Sequence, residues 1–403
     1  MSITVTSMEI LSGYLLKNKY SDTLNKVRYN RTLSGYTIFE NTPNFSHQTY
    51  NNGSNGLDIV TDSNGYICNR PNRDDQFLIF INGGSGAMGA GQSPRYNKLH
   101  QYPTEIYSFE LSIAGILQSK LDSMFPNKYV KVVNAASYTK TMHQSYIEYI
   151  TKISKLDIDM IIQIDGFNDL GPILSGHPAN FISNLWLDYY VGITYSNPNI
   201  TPSSTLNLLY DFFKHKGKHT KISYRTYAYD NNDKEDYKRS SSKYKTNSRR
   251  FIQLLDYYAN TLSKDSVSFL YCIQPILNRT PNKVLTEKES AFANLNPLYD
   301  DMAPEEITSF IASYDEENGI ILKQSMLALK YFYTDFMSDE IEQTINKNKG
   351  HFIDLGMQIT QVDGNVDVYT DYCHLTQSGN NFVAEQLVNI IIQNELISND
   401  IQL

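Results

Sequence analysis

Short continuous apolar runs alternate with segments of helical spacing from about residue 76 to the end of the chain. The apolar runs that predict buried strands are Phe77–Ile81, Tyr129–Val133, Met160–Ile164, Val267–Ile273 and Phe352–Leu355. The segments that predict helices are Glu105–Leu121, His143–Ile153, Leu254–Leu262 and Gly379–Gln393. Strands that alternate with helices form a parallel sheet covered on both faces. The pattern therefore predicts the α/β class, as a three-layer αβα sandwich around a mainly parallel five-stranded sheet.

Two regions depart from this alternation. Residues 1–75 are polar and rich in Asn, Gly, Ser and Tyr, which predicts an irregular N-terminal arm packed on the domain that spans 76–403. Residues 172–250 are predicted to be an insertion within that domain, after the third strand. The basic tract 214–250 holds 12 basic and 4 acidic residues. Such a tract is typical of a solvated insertion, or alternatively of a cap whose positive charge attracts an anionic substrate.

Composition narrows the class of protein. The 403 residues include 35 basic and 43 acidic ones, and the net charge of −8 argues against nucleic acid as a partner. Three cysteines are too few and too scattered for a disulfide framework, which favours a reducing compartment. No apolar run is long enough to span a membrane, and the first residues lack the pattern of a secretory signal. We therefore expect a cytoplasmic protein.

Small and polar residues follow the predicted strands or precede the last helix. They are grouped in four segments, Gly83–Gly89, Asn134–Ala136, Gly166–Asp169 and Asp371–His374. Each segment by itself is equally typical of a turn or a helix cap. In an open parallel sheet, however, ligands bind beyond the carboxyl ends of the strands. Together the segments supply a serine, a histidine, an aspartate and a side-chain amide, which are the parts that an acyl-transfer site requires.

These segments resemble the motifs of the SGNH (GDSL-type) hydrolase family. That family carries a Ser in block I, a Gly in block II, Gly-x-Asn-Asp in block III and Asp-x-x-His in block V. The resemblance runs from about Asp58 to Gln393, interrupted by the insertion. It implies the family's flavodoxin-like architecture. It also implies that Ser85 is the nucleophile, that His374 is the general base, and that Asp371 orients the histidine ring.

The resemblance further implies an oxyanion hole, formed by the backbone amides of Ser85 and Ala136 and by the side chain of Asn168. Ala136 stands where block II normally has Gly, which puts its donor role in question if the loop needs the conformational freedom of glycine. A second departure is Gly84, which stands directly before Ser85 at the position where the family usually has Asp. The residues expected to support these loops are Gly84, Gly166 and Asp169.

Three functional hypotheses follow. The first is a serine-dependent O-acyl ester hydrolase that, by the family resemblance, removes an acetyl group from a carbohydrate through an acyl-enzyme. The second is an O-acyltransferase that passes the acyl group to a sugar hydroxyl in surface-polysaccharide modification, with the insertion over its site. The third is a non-catalytic glycan-binding protein on the same fold. The expected partner is a small-molecule or glycan ester, and the reaction requires neither a metal nor a cofactor.

Three further residues attract attention because of their position. Cys373 lies between the two triad residues of block V, and we expect it to be a small buried side chain rather than a nucleophile. His143 and His177 follow blocks II and III. We expect them to be packing or surface histidines, with contact to the substrate as the alternative.

Overall fold

A computed structural model describes the greater part of the predicted α/β domain. The described residues are 31–34, 38–51, 54–91, 105–138, 140–169, 234–277, 283–290, 337–359, 362, 364–370 and 373–397. Most of the predicted insertion lies outside these ranges.

The regular elements are numbered along the chain. The strands are β1 Arg31–Ser34, β2 Ile38–Asn41, β3 Ser46–Asn51, β4 Ser54–Val60, β5 Gln76–Gly83, β6 Ala90–Gly91, β7 Glu105–Ile106, β8 Tyr129–Asn134, β9 Met160–Asp165, β10 Ser268–Ile273 and β11 His351–Asp354. The helices are α1 Ser85–Met88, α2 Ile113–Met124, α3 Met142–Thr151, α4 Lys234–Lys264, α5 Ser338–Lys347, α6 Leu355–Gln358 and α7 Gln377–Gln393. Short 3₁₀ turns lie at Phe109–Leu111 and Ile153–Lys155.

The central sheet has five strands in the order β11-β10-β9-β5-β8, and every neighbouring pair is parallel. Each of the five predicted apolar runs is one of these strands, so the predicted sheet is confirmed. The chain runs from β5 outward to β8 and then crosses to β9 on the other side of β5. The strand order therefore reverses beside β5, and such a switch point is where open α/β sheets bind ligands.

Helices cover both faces of the sheet, which confirms the three-layer sandwich. On one face, α2, α6 and α7 contribute to a mainly aliphatic cluster with the strands. On the other face, α3, α4 and α5 contribute to a cluster rich in aromatic side chains. Among the described residues, no helix is both long enough and apolar enough to cross a membrane.

The N-terminal region is more regular than the sequence predicts. Strands β1 and β2 form one antiparallel pair, and β3 and β4 form another. These pairs give regular structure within the arm, and polar strands that pair with each other leave little apolar signal in the sequence. Further along, the Tyr66 ring meets Phe80 of β5 edge-on, with the ring centroids 5.3 Å apart. Ile67 pairs with Asn134 at the end of β8, so this segment packs directly on the sheet.

Two helices have boundaries that differ from the prediction. The segment predicted to be helical from Glu105 begins instead with β7, and α2 starts only at Ile113. Ser112 caps α2 by accepting a hydrogen bond from the Gly115 amide. Helix α4 begins at Lys234, within the basic tract, and continues through residue 250 into the predicted helix Leu254–Leu262. The last part of the predicted insertion is thus continuous with a helix of the domain.

Candidate active site

Ser85 lies at the carboxyl end of β5, where the strand turns directly into α1. The preceding Gly83 has a φ of +142°, and a Cβ atom on it would lie 2.1 Å from the Ile164 carbonyl oxygen of β9. Only glycine fits this tight turn next to the neighbouring strand. Ser85 then begins α1 at the edge of the sheet and is half-buried.

The side chain of Asn168 lies against the backbone of Gly84. A Cβ atom on Gly84 would come within 2.2 Å of Asn168 Nδ2. Nδ2 donates one hydrogen bond to the Lys140 carbonyl oxygen over 3.0 Å, and the amide group carries a second hydrogen. The close approach explains why this chain has glycine before the serine: a side chain at this position would displace the Asn168 amide.

His374 is brought to the serine from the far end of the chain. Its Nε2 lies 2.8 Å from Ser85 Oγ, although 289 positions separate the two residues. The histidine is only 4% exposed. This distance is within the range expected for a nucleophile and its base. Asp371, the predicted third member of the triad, lies outside the described residues.

Hydrogen bonds to its backbone hold the loop that carries His374. The Gln274 side chain, just after β10, donates from Nε2 to the Cys373 carbonyl oxygen over 2.9 Å. The backbone amide of Gln274 in turn donates to the backbone carbonyl oxygen of Asp165 over 2.7 Å. The Thr370 amide donates to the carbonyl oxygen of His374 itself, also over 2.9 Å. The histidine is thereby tied to the ends of β9 and β10.

Cys373 packs beside the imidazole ring. Its Sγ lies 3.5 Å from Nδ1 and 4.0 Å from Nε2 of His374. The residue is 2% exposed, which confirms the expectation of a small buried side chain. The sequence did not predict that the thiol would touch the ring of the proposed base.

Ala136, the third predicted oxyanion donor, lies in the loop that follows β8. Its amide donates to Asn134 Oδ1 over 3.1 Å, and the residue is fully buried. Its carbonyl oxygen accepts from Asn41 Nδ2 over 3.0 Å. An Asx-type turn after β8 uses this amide to close the loop on the Asn134 side chain. The Ala136 amide is thus engaged within its own loop, and its contribution to the oxyanion hole stays a prediction.

A buried ion pair lies beneath the loops that carry Ser85 and Asn168. Lys140 Nζ pairs with the Glu148 carboxylate, and both side chains are under 10% exposed. Nζ also donates to the Ala135 carbonyl oxygen over 2.9 Å and to Asn82 Oδ1 at the end of β5. The backbone carbonyl of the same lysine accepts from Asn168. Lys140 thus connects the strand before the serine to the asparagine, a role that the sequence did not reveal.

Two further buried carboxyl groups lie at the ends of these strands and loops. With them, the buried polar side chains form a cluster that we call the polar layer: Asn82, Lys140, Glu148, Gln163, Asp165 and Asp169. Asp165, the last residue of β9, accepts from Gln163 Nε2 over 2.5 Å. Asp169 accepts from the Met142 amide over 2.9 Å and so ties its own loop to the start of α3. Burial raises the pKa of both carboxyl groups, and raises that of Asp169 to about 7. The neighbouring Asp169 charge raises the pKa of Asp165 further. Gly166, between the two, is buried with a φ of +148°.

Of the two further candidate histidines, the structure describes only His143. His143, the second residue of α3, is partly buried, and this burial lowers its pKa to about 4. His177 lies outside the described residues. Within the described ranges, no three His, Cys, Asp or Glu side chains are close enough together to hold a metal ion.

No family model matches the chain, and no curated protein matches it. The similar solved structures include the acetyl xylan esterase AlAXEase, with 11% identity, a TM-score of 0.36, and coverage of 78% of this chain and 100% of that one. Another is the acetylxylan esterase Axe2 from Geobacillus stearothermophilus, with 9% identity, a TM-score of 0.36, and coverage of 78% and 94%. A third is the lipase/acylhydrolase from Enterococcus faecalis, with 11% identity, a TM-score of 0.38, and coverage of 79% and 96%. These values are too low to assign an activity.

The chain resembles the SGNH hydrolases in motif order and in fold. Its own residues carry this resemblance. Ser85 and Asn168 follow adjacent parallel strands of a doubly wound sheet, and His374 precedes the last helix and reaches the serine.

Proposed function

We propose that this protein is a serine-dependent O-acyl ester hydrolase of the SGNH type. The observation that carries the proposal is the 2.8 Å separation of His374 Nε2 and Ser85 Oγ. A serine hydroxyl is a weak nucleophile until a base within hydrogen-bond reach removes its proton. The hydroxyl lies at the switch point of the sheet, where a substrate would bind.

In the proposed first half-reaction, Ser85 Oγ attacks the ester carbonyl carbon and His374 Nε2 takes the hydroxyl proton. The C–O bond to the alcohol then breaks, and Nε2 returns the proton to the departing alkoxide. The acyl group remains on Ser85 as an ester. In the second half-reaction, water attacks this ester while Nε2 takes one of its protons, and the free acid leaves as the serine hydroxyl is restored.

The negative charge on the carbonyl oxygen requires preorganised donors. The proposed donors are the Ser85 amide, at the first position of α1, and the second hydrogen of Asn168 Nδ2, whose first hydrogen is held by Lys140. Asp371 is proposed to hold the other nitrogen of the His374 ring, as the resemblance implies. Gly84, Gly166 and Asp169 shape the loops around these donors.

The family resemblance supports an acetyl group as the acyl group and a carbohydrate as its carrier. The experiment that tests the proposal measures the release of p-nitrophenol from p-nitrophenyl acetate by the wild type and by Ser85→Ala. A serine-directed phosphonate is added in parallel, and the labelled residue is identified by mass spectrometry. We expect turnover and a label on Ser85 in the wild type, and neither in the variant.

Ser119→Ala, which changes an exposed serine of α2, is the matched control and should behave as the wild type. Equal activity of the wild type and Ser85→Ala, without a label, would overturn the nucleophile and favour the glycan-binding alternative. Adding a sugar as acceptor tests the O-acyltransferase alternative. If acetylated sugar forms at the expense of free acetate, a sugar hydroxyl and not water is the acceptor in the second half-reaction.

A further inference from the structure

A second buried ion pair lies outside the site described above. Lys283 and Glu289 stand six residues apart in the described segment 283–290, and both side chains are 0% exposed. The ammonium group of Lys283 pairs with Glu289 Oε2 and donates to the Val284 carbonyl oxygen over 3.2 Å. Removing two charges from water is costly unless their hydrogen-bonding groups are satisfied. The contacts of the carboxylate indicate what such a pair does here.

Among the described residues, the hydrogen bonds of the Glu289 carboxylate come from backbone amides and from Lys283. Oε1 accepts from the amides of Val368 and Tyr369, over 2.8 and 3.1 Å. Oε2 accepts from the Thr286 amide over 3.1 Å in addition to the lysine. A carboxylate is an acceptor only, with room for several donors, so one side chain can hold two consecutive amides of another segment.

The two amides belong to the strand-like segment that runs beside His374. The Thr376 amide donates to the Val368 carbonyl oxygen over 2.8 Å, and Tyr369 forms an antiparallel bridge with Leu375. The next residue, Thr370, donates to the His374 carbonyl oxygen. Glu289 is therefore hydrogen-bonded to one side of this loop, at Val368 and Tyr369, and the opposite side carries His374.

We propose that Glu289, neutralised by Lys283, is a positioning residue that sets the place of His374 relative to Ser85. This inference rests on the proposed function, because it assigns Glu289 a part in the same reaction. Glu289 touches neither the substrate nor the reacting atoms, and acts through the backbone of Val368 and Tyr369. Gln274 holds the opposite side of the loop through the Cys373 carbonyl oxygen, so the histidine is fixed from two directions.

The experiment compares two double variants that both remove the ion pair. Lys283→Met with Glu289→Gln keeps an oxygen that can accept from the two amides. Lys283→Met with Glu289→Leu removes that acceptor and leaves the amides without it. Neither double variant contains an uncompensated buried charge, and the two differ in the side-chain amide, whose oxygen is the acceptor.

We expect the Glu289→Gln double variant to retain most of the wild-type kcat on p-nitrophenyl acetate. The Glu289→Leu double variant should lose about 10- to 100-fold in kcat with little change in KM, since a displacement of about 1 Å can cost about 100-fold in rate. Phosphonylation of Ser85 should slow in proportion. Ile391→Ala truncates a fully buried side chain near the C-terminal end of α7, so it should lower stability and leave kcat unchanged.

A readout independent of activity is the histidine NMR spectrum of ¹³C-labelled protein, in which His374 is assigned by its absence from His374→Gln. Its signal should keep its position in the Glu289→Gln double variant and shift or split in the Glu289→Leu one. Equal kcat values and equal His374 signals in the two double variants would overturn the positioning role. A wild type without esterase activity or Ser85 labelling would overturn the proposed function instead, and the NMR comparison would still test the position of His374.

Discussion

The two faces of the central sheet differ most at the carboxyl ends of its strands. On the face covered by α2 and α7, Ile81 and Ile164 continue the aliphatic packing to the end of β5 and β9. At the same level on the other face, the neighbouring positions are Asn82, Gln163 and Asp165, all buried. Side chains alternate between faces along a strand, so residues adjacent in sequence belong to these two different environments.

The difference shows how the site is supported. Gln163 donates to Ser145 of α3, and Lys140 bonds to Asn82, so directional hydrogen bonds hold the loops above the polar layer. The aliphatic face stabilises the fold through burial, which has no directional preference. We infer that the polar face fixes the positions of Ser85 and Asn168, whereas the aliphatic face mainly contributes to stability. Four predictions test this division.

The largest expected effect comes from breaking the buried pair of the polar layer. Lys140→Met leaves the Glu148 carboxylate buried and uncompensated, and should lower the free energy of unfolding by about 3–5 kcal/mol. Urea denaturation measures this loss. Lys140→Met combined with Glu148→Met removes both charges and should recover most of it. A single variant as stable as the wild type would show that the polar layer does not depend on this pair.

Asn168→Ala tests whether the polar face serves chemistry. Removing a proposed oxyanion donor should lower kcat by about 100- to 1000-fold, equivalent to about 2.7–4 kcal/mol of transition-state stabilisation. Stability should change little, because the Asn168 side chain is only partly buried. The measurement is steady-state hydrolysis of p-nitrophenyl acetate together with a urea titration. A kcat within threefold of the wild type would remove Asn168 from the oxyanion hole.

Asp169→Asn tests the raised pKa in the polar layer. Burial raises the pKa of Asp169 from 3.8 to about 7, so between about pH 4 and pH 7 the folded protein holds a proton that the unfolded chain has released. The free energy of unfolding should therefore fall as the pH rises through this window, by up to about 1.4 kcal/mol per pH unit, and level off above it. The variant should lose this contribution, as measured by urea denaturation from pH 4 to 8.

Asp256→Asn in α4 is a control of opposite sign. The Asn348 amide lowers the pKa of Asp256, so this carboxylate adds stability above its ordinary pKa that is lost as the pH falls. Identical pH slopes for the wild type and Asp169→Asn would show that Asp169 is ionised in the folded protein throughout this range.

The smallest effect is expected on the aliphatic face. Ile81→Val removes one methylene group from a fully buried side chain, and should cost about 0.5–1.5 kcal/mol of stability. Turnover should be unchanged, although the residue lies four positions before Ser85. A kcat reduced more than about tenfold would mean that both faces position the nucleophile, and the proposed division between them would be wrong.

The motifs of the site were visible in the sequence because each is local. Gly83 and Ser85 come shortly after the apolar run Phe77–Ile81, and a strand that ends in small residues predicts a tight turn at the edge of the sheet. The Gly-x-Asn-Asp segment that ends at Asp169 follows the third predicted strand, Met160–Ile164, in the same way. The short distance between these segments then followed from the parallel sheet.

The supporting residues were not visible, because their signals are not local. Lys140 and Glu289 stand in polar segments where a charged residue is normally solvated, and neither has a motif around it. Their partners include backbone groups far away in the chain, such as the Val368 amide 79 positions after Glu289. The hydrogen bond of the Ala136 amide was not visible for a related reason: the Asx-type turn that it closes depends on a side-chain rotamer.

The sequence by itself determined the α/β class, the five strands and the order of the chemical groups at their ends, since apolar runs and glycine-rich turns are local patterns. Tertiary structure alone decided which groups meet. It brought His374 to within 2.8 Å of Ser85, placed the Asn168 amide against Gly84, and buried two ion pairs beneath and beside the loops. The physical reason is that hydrogen bonds and ion pairs between distant segments depend on distance and direction, which only the packed sheet and its helices establish.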